Sequence, residues 1–133
     1  MLTLSSTQRD AILATCIRAL PNEGCGLLLG SAEGIVTDVV PSENMADSAK
    51  IYEIDPAVLL ATFRRVDREG STILGVFHSH THSEAYPSPT DVRQAPDPSW
   101  RYVVASLART PADLRSFRIV DGLVSEESLS IEG

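Results

Sequence analysis

The feature that most constrains this chain is an unbroken apolar run, Ile73-Leu74-Gly75-Val76-Phe77, that leads into three histidines. Apolar residues that do not alternate with polar ones are typical of a strand buried on both faces at the centre of a sheet. We therefore predict a central strand from Ser71 to His80. The chain's only histidines, His78, His80 and His82, then fall at or just beyond the C-terminal end of this strand, where open α/β sheets place their functional sites.

The remaining segments predict an α/β fold with a mixed sheet and helices on its faces, in a single domain over residues 1–133. Helical spacing after an N-cap at Ser6 or Thr7 predicts a helix over 7–20, and Asp55-Pro56 begins a second helix over 56–69 that ends at Gly70. Its inward residues are predicted to be Val58, Leu59, Phe63 and Val66. Residues 41–53 are predicted to form a loop, and further strands are predicted at 25–29, 35–40, 101–107, 114–120 and 123–127, the last two joined by an Asp121-Gly122 turn.

Composition excludes several classes of function. Eleven basic residues against 18 acidic ones give a net charge of −7, which does not suit binding to nucleic acid phosphates. The longest apolar runs have the length of a strand, so no membrane span is expected. The N-terminal segment lacks the pattern of a signal peptide, which predicts a cytoplasmic protein with Cys16 and Cys25 reduced.

The segment from His78 to Asp91 contains a candidate metal site. Residues two apart on a strand share a face, so His78 and His80 can direct both imidazoles to one point. Ser88-Pro89-Thr90-Asp91 has the form of a helix start, with Ser88 as N-cap and Asp91 in the first turn. Two imidazoles and one carboxylate, with a fourth position left for water, are the ligands of a catalytic zinc site. The simpler alternative is that Ser88 and Asp91 only cap the helix.

A hydrolytic zinc site also needs a group that takes a proton from water. Our candidate is Glu23, which stands just before the apolar strand 25–29, although a solvated loop carboxylate is the simpler interpretation. Glu84 is a second candidate in the loop after the histidines. His82 has the same-face spacing of a possible ligand, but it falls where the strand should end, so we expect it either to support the ligands or to lie on the rim of the site. In a further alternative Cys25 is a nucleophile, but no nearby feature of the sequence would lower its pKa.

The spacing His78-x-His80, then seven residues, Ser88, two residues and Asp91, with Glu23 at the start of an upstream strand, resembles the signature of the JAMM (MPN+) metalloprotease family. The resemblance covers nearly the whole chain. It implies a curved, helix-flanked sheet like that of cytidine deaminases and one zinc ion per chain bound by His78, His80 and Asp91. Glu23 would be the general acid and base, and Ser88 would stabilise the oxyanion.

Within that family, the segments 80–91 and 114–122 are similar to the actinobacterial CysO-cysteine peptidase branch. This implies a peptidase that releases cysteine from the C-terminal glycine of a ubiquitin-like sulfur-carrier protein with a Gly-Gly tail, in cysteine biosynthesis. The alternatives are a protease for another ubiquitin-like protein and a noncatalytic module that binds such a protein. The stretch between Asp91 and Arg101 is too short for the long insertion of eukaryotic deubiquitinating members, so a polyubiquitin substrate is not expected.

Overall fold

A six-stranded mixed sheet forms the centre of the structure, a computed structural model that describes residues 1–133. In chain order the elements are β1 (Leu2–Ser5), α1 (Ser6–Ala19), β2 (Cys25–Gly30), β3 (Val36–Ser42), α2 (Pro56–Glu69), β4 (Thr72–His80), α3 (Pro89–Arg93), β5 (Arg101–Ser106), β6 (Asp113–Val120), β7 (Leu123–Glu127) and β8 (Leu129–Glu132). The strand order in the main sheet is β3-β2-β4-β5-β6-β7. The predicted mixed α/β fold is confirmed.

Strand β4 occupies the central position that its apolar run predicts. It pairs antiparallel with β2 and parallel with β5, and every residue from Ile73 to His80 is buried. The apolar side chains on its two faces belong to two different hydrophobic clusters, one containing Leu74 and Phe77 and the other containing Ile73 and Val76. Burial on both faces explains why hydrophobic and polar residues do not alternate along this strand.

The two long helices begin and end close to the predicted residues. Helix α1 begins one residue early, because Ser5 is the N-cap and exchanges hydrogen bonds with Gln8 in a capping box. Helix α2 has Asp55 as N-cap and ends at Gly70, which takes a left-handed conformation with φ of 72°.

The inward position predicted for Phe63 is wrong. Its side chain is 50% exposed, whereas Thr62 and Val66 are buried at 3% and 9%. The inward stripe of α2 runs through the half-buried Val58 and the buried Thr62 and Val66 at helical spacing, which places Phe63 at the margin of the helix face.

A second sheet, formed by β1 and β8 in parallel, was not predicted. Each strand has only four residues, and their pairing joins segments separated by almost the entire sequence, so no local pattern indicates it. Leu2 and Leu4 of β1 are nevertheless 0% and 1% exposed and belong to the main hydrophobic cluster. None of the helices is both long and apolar enough to cross a membrane.

Candidate metal centre

His78, His80 and Asp91 converge on one point at the C-terminal end of β4. Asp91 Oδ2 lies 2.9 Å from His78 Nε2 and 3.1 Å from His80 Nε2, and the two Nε2 atoms are 3.3 Å apart. All three side chains are buried, with exposures of 1%, 5% and 7%. The structure therefore brings together the three residues that the sequence predicts as metal ligands.

Two local structures direct these side chains. His78 and His80 lie two residues apart on β4, so both imidazoles project from the same face, while Ser79 faces the other way and its Oγ accepts from the Gly24 amide at 2.8 Å. Asp91 is held by the start of α3: its amide donates to Ser88 Oγ at 3.0 Å, and its Oδ2 accepts from the Ser88 amide at 2.9 Å. The helix cap therefore orients the carboxylate that faces the imidazoles, and the capping and ligand roles are compatible.

The tautomer of His80, that is, which of its two ring nitrogens carries the hydrogen, makes the site suited to a cation. His80 Nδ1 lies 2.8 Å from the backbone carbonyl of Glu84, and a carbonyl only accepts, so Nδ1 carries the hydrogen and Nε2 presents its lone pair in the neutral ring. That lone pair faces the Asp91 carboxylate, an arrangement that needs a positive charge between the two. Burial lowers the pKa of His80, but the Asp91 carboxylate and the Glu84 carbonyl outweigh it and raise that pKa overall. The residues present fit a bound metal ion.

The pKa values of the other two groups follow from their surroundings. Burial lowers the pKa of His78, only partly offset by Asp91, so this imidazole is neutral, as a metal ligand must be. Burial tends to raise the pKa of Asp91, but the imidazoles and the Ser88 amide bring it well below its usual range. Asp91 is therefore a carboxylate at neutral pH.

Glu23 reaches the same site from the neighbouring strand. Cys25 pairs with His78 in the antiparallel β2–β4 ladder, and the Ser79 amide donates to the Gly24 carbonyl at 3.0 Å, so Glu23 is placed beside His80. Its side chain is 2% exposed, and Oε1 has no hydrogen-bond partner. Burial, with a smaller contribution from Asp91, raises the pKa of Glu23 to about 8 although His80 opposes the shift. The structure thus places a carboxyl group with a raised pKa and a buried, unpartnered Oε1 beside His80.

A cavity of about 320 Å³ opens onto these residues. Its lining includes Glu23, His80 and Ser88 together with Lys50 and His82. Ser88 Oγ accepts from the Asp91 amide, which leaves its hydroxyl hydrogen free to donate into the cavity. His78 does not line this cavity because the ring of Tyr52 stacks on its imidazole, with centroids 4.3 Å apart and planes at 16°.

The other candidates lie outside the convergent group. His82 is exposed and lines the cavity, and it does not join the three converging side chains. The Glu84 side chain is exposed, and only its backbone carbonyl contacts the site. Cys25 is fully buried, and burial raises its pKa to about 12, which opposes a nucleophilic role.

The sequence did not indicate the contributions of Tyr52 and of the Glu84 carbonyl. Tyr52 lies 26 residues before His78, in the segment predicted as a loop, and no motif marks its stacking contact. A backbone carbonyl carries no signal in the sequence at all. The spacing of His80 and Glu84 could have suggested a contact, since the chain turns sharply after the strand.

Residues 5–120 match the family described as prokaryotic homologs of the JAB domain. Three relatives have names that state an activity. The CysO-cysteine peptidase of Mycobacterium tuberculosis is 37% identical over 125 residues, covering 92% of this chain and 85% of the relative. A desampylase of Haloferax volcanii is 32% identical, covering 79% and 80%. A probable TtuB-protein conjugate cleaving protease of Thermus thermophilus is 38% identical, covering 68% and 60%.

Solved structures share the fold of this chain. A protein from Desulfitobacterium hafniense superposes with a TM-score of 0.91 at 38% identity, covering 99% of this chain and 93% of its own. A JAB1/MPN domain protein from Archaeoglobus fulgidus shares the fold, with a TM-score of 0.64 at 18% identity and complete coverage of both chains. The chain therefore belongs to the JAMM/MPN family, as one of the prokaryotic homologs of the JAB domain, and it is a hydrolase.

Proposed function

We propose that this protein is a zinc-dependent peptidase that cleaves the bond after the C-terminal glycine of a ubiquitin-like sulfur-carrier protein and releases cysteine. The observation that carries the proposal is the unpartnered, buried Oε1 of Glu23 beside the convergent His78, His80 and Asp91. A buried carboxylate oxygen without a partner is costly unless a ligand or water uses it. A noncatalytic binding module would have no need for it.

In this proposal His78, His80 and Asp91 hold one zinc ion. When bound there, zinc would supply Lewis acidity, which polarises a carbonyl oxygen and makes a water molecule more acidic. The donor set of two imidazoles and one carboxylate leaves a coordination position open, which distinguishes it from the closed sites of structural zinc.

The chain's own residues supply the proton transfer and the stabilisation of charge. Glu23 takes a proton from the attacking water at its free carboxylate oxygen and returns it to the departing amine, so that water adds across the carbon–nitrogen bond. Ser88 donates its hydroxyl hydrogen to the oxygen of the scissile carbonyl as negative charge develops there. Glu84 acts through its backbone carbonyl by fixing the ring of His80.

The substrate is inferred from the activities that the names of the relatives state. They act on CysO-cysteine, on ampylated proteins as the name desampylase states, and on TtuB-protein conjugates. Of these three relatives, the CysO-cysteine peptidase matches the largest share of the chain, which favours a sulfur-carrier substrate. The Gly-Gly tail of that carrier and a setting in cytoplasmic cysteine biosynthesis are part of the same proposal. Cleavage of conjugates of another ubiquitin-like protein is the second candidate function, favoured by the other two relatives.

The test combines metal analysis with hydrolysis of CysO that carries a C-terminal cysteine. We expect one zinc per chain, loss of zinc in His78→Ala, and retained zinc in Glu23→Gln with a rate lower by roughly a hundred-fold or more. Glu33→Gln, a carboxylate in the exposed β2–β3 turn, is the matched control and should keep full activity. Near-normal hydrolysis by Glu23→Gln would show that another group is the base.

A further inference from the structure

The open side of the candidate metal centre faces a cavity lined mainly by polar residues. Tyr52 covers the face of His78, which is 1% exposed, whereas His80 lines the cavity of about 320 Å³. Glu23 and Ser88, the groups assigned to proton transfer and oxyanion stabilisation, line the same cavity. The scissile bond of a substrate must therefore lie in this cavity, and its other lining residues contact whatever flanks that bond.

The cavity contains Lys50, the only lysine of the sequence. None of the ten arginines lines it, so Lys50 is the one permanently cationic side chain there. The remaining lining residues are Ala49, Thr81, His82 and Ser83. In a chain of net charge −7, a single cation placed next to the catalytic groups is a specific electrostatic feature.

We propose that Lys50 binds the free α-carboxylate of the amino acid that is released, and thereby selects substrates whose scissile bond is the last peptide bond of the chain. The inference rests on the proposed function. Without this lysine, a substrate carboxylate in the cavity would lie close to the ionised Asp91 with no positively charged side chain in the lining to offset the repulsion. The Lys50 ammonium offsets that repulsion and donates a charge-assisted hydrogen bond.

The dimensions of the cavity suit this role. A sphere of about 320 Å³ is about 8 to 9 Å across, and one residue of an extended chain spans at most about 3.3 to 3.6 Å. A carboxylate one residue beyond the scissile bond therefore stays within the cavity that Lys50 lines. The hydroxyls of Thr81 and Ser83 offer further hydrogen bonds to the same end of the substrate.

The proposal also separates the two candidate substrate classes. When the last residue of a carrier is released, a carboxylate lies one residue from the scissile bond. When a ubiquitin-like protein is cleaved from a lysine side chain of a target, no free carboxylate lies at that position. Lys50 therefore favours release of a single amino acid over isopeptide cleavage.

The experiment compares two synthetic forms of CysO extended by cysteine, one ending in a free carboxylate and one in a carboxamide. The readout is the ratio of kcat/KM for acid over amide, measured with the zinc-loaded full chain. Losing one charge-assisted hydrogen bond corresponds to roughly ten- to hundred-fold, so we expect wild type to prefer the acid by that factor. Lys50→Met should bring the ratio close to one, and Lys50→Arg should keep most of the preference.

Arg68→Met is the matched control, because it removes one exposed positive charge from α2, outside the cavity, and it should keep the wild-type ratio. Since Lys50 is exposed in a loop, its variants should unfold at the wild-type temperature. A wild-type ratio near one, or an unchanged ratio in Lys50→Met, would overturn the role of Lys50 while leaving the proposed function intact. If wild type cleaved neither form of CysO but did cleave a TtuB conjugate, the proposed release of cysteine would be wrong. The proposed role of Lys50 would then be wrong as well.

Discussion

At the scale of single residues, the position of Glu23 in the fold determines the pKa of its carboxyl group. It is an ordinary carboxylate in sequence, but the structure buries it to 2% exposure and leaves one oxygen without a partner. Burial disfavours the charged form, which raises its pKa to about 8. A group with such a pKa can both take and return a proton near neutral pH.

The raised pKa of Glu23 predicts a specific pH dependence of stability in the metal-free protein. The folded state keeps the proton up to about pH 8, whereas the unfolded chain loses it near the usual pKa of 4.5. The folded state therefore binds more protons in this window, and its stability falls as pH rises. Glu23→Gln has no such ionisation, so it should be more stable than wild type at pH 8, with a difference that shrinks toward pH 4.5.

The measurement is urea denaturation of both proteins after removal of metal, at several pH values across this window. Comparing the two proteins isolates Glu23, because both retain the same imidazoles and Asp91. If the free energy of unfolding changed with pH to the same extent in wild type and in Glu23→Gln, Glu23 would have the same pKa in the folded and unfolded states. Burial would then not raise the pKa of Glu23.

At the scale of elements, the segment between β3 and α2 is organised by one side chain. Asn44 Nδ2 donates to the carbonyls of Glu23 and Ile51, each at 3.0 Å, and to that of Ser48 at 3.3 Å. Its Oδ1 accepts from the amides of Ala46 and Glu53. The Asn44 side chain therefore ties a loop that carries Lys50 and Tyr52 to the backbone of Glu23.

Asn44→Ala tests that arrangement. It removes hydrogen bonds to several partly buried backbone groups, and we expect a loss of about 2 to 4 kcal/mol in the free energy of unfolding. Because the Glu23 backbone loses its support, kcat of the folded enzyme should also fall by roughly tenfold or more. Guanidinium denaturation and steady-state kinetics provide the two readouts.

Met45→Ala is the control for this prediction, since Met45 is the next residue and its side chain is 48% exposed. Its backbone hydrogen bond to Glu53 does not depend on the side chain. If Asn44→Ala and Met45→Ala changed stability and kcat equally, the loop would tolerate the loss of the Asn44 side-chain amide. That side chain would then not organise the loop.

At the scale of the whole molecule, the small β1–β8 sheet closes the core from one side. Leu2 and Leu4 pack with Ile12, Cys16 and Phe77 in one buried cluster, which joins residues near the beginning of the chain to the central strand. The partner strand β8 comes from the other end of the sequence. The main hydrophobic core is therefore completed only when distant parts of the chain meet.

Leu4→Ala should reveal this contribution. The side chain is 1% exposed, and truncating a buried leucine costs about 2 to 5 kcal/mol because it leaves a cavity as well as losing apolar burial. Leu123→Ala is the matched control on another strand: Leu123 is 76% exposed, so its truncation should change stability by less than about 0.5 kcal/mol. A similar, small effect of both substitutions in guanidinium denaturation would show that β1 does not contribute to the core.

The sequence by itself determined the parts of this protein that depend on short-range chemistry. The apolar run of β4 fixed a central strand, Asp55-Pro56 and Gly70 fixed the limits of α2, and the spacing of His78, His80 and Asp91 predicted a convergent site. In each case the signal lies within one short segment of the chain, the longest being the 13 residues that separate His78 from Asp91. Strand periodicity and helix capping act locally, so they can be predicted without knowledge of the tertiary fold.

Only the tertiary structure decided the rest, because those features depend on contacts between segments that are distant in sequence. The β2–β4 register placed Glu23 beside His80, and the fold stacked Tyr52 on His78 and paired β1 with β8. The exposure of Phe63 depended on which part of α2 meets the sheet. Burial, pKa and the lining of a cavity are properties of the assembled chain, since they arise from which groups exclude water around a side chain.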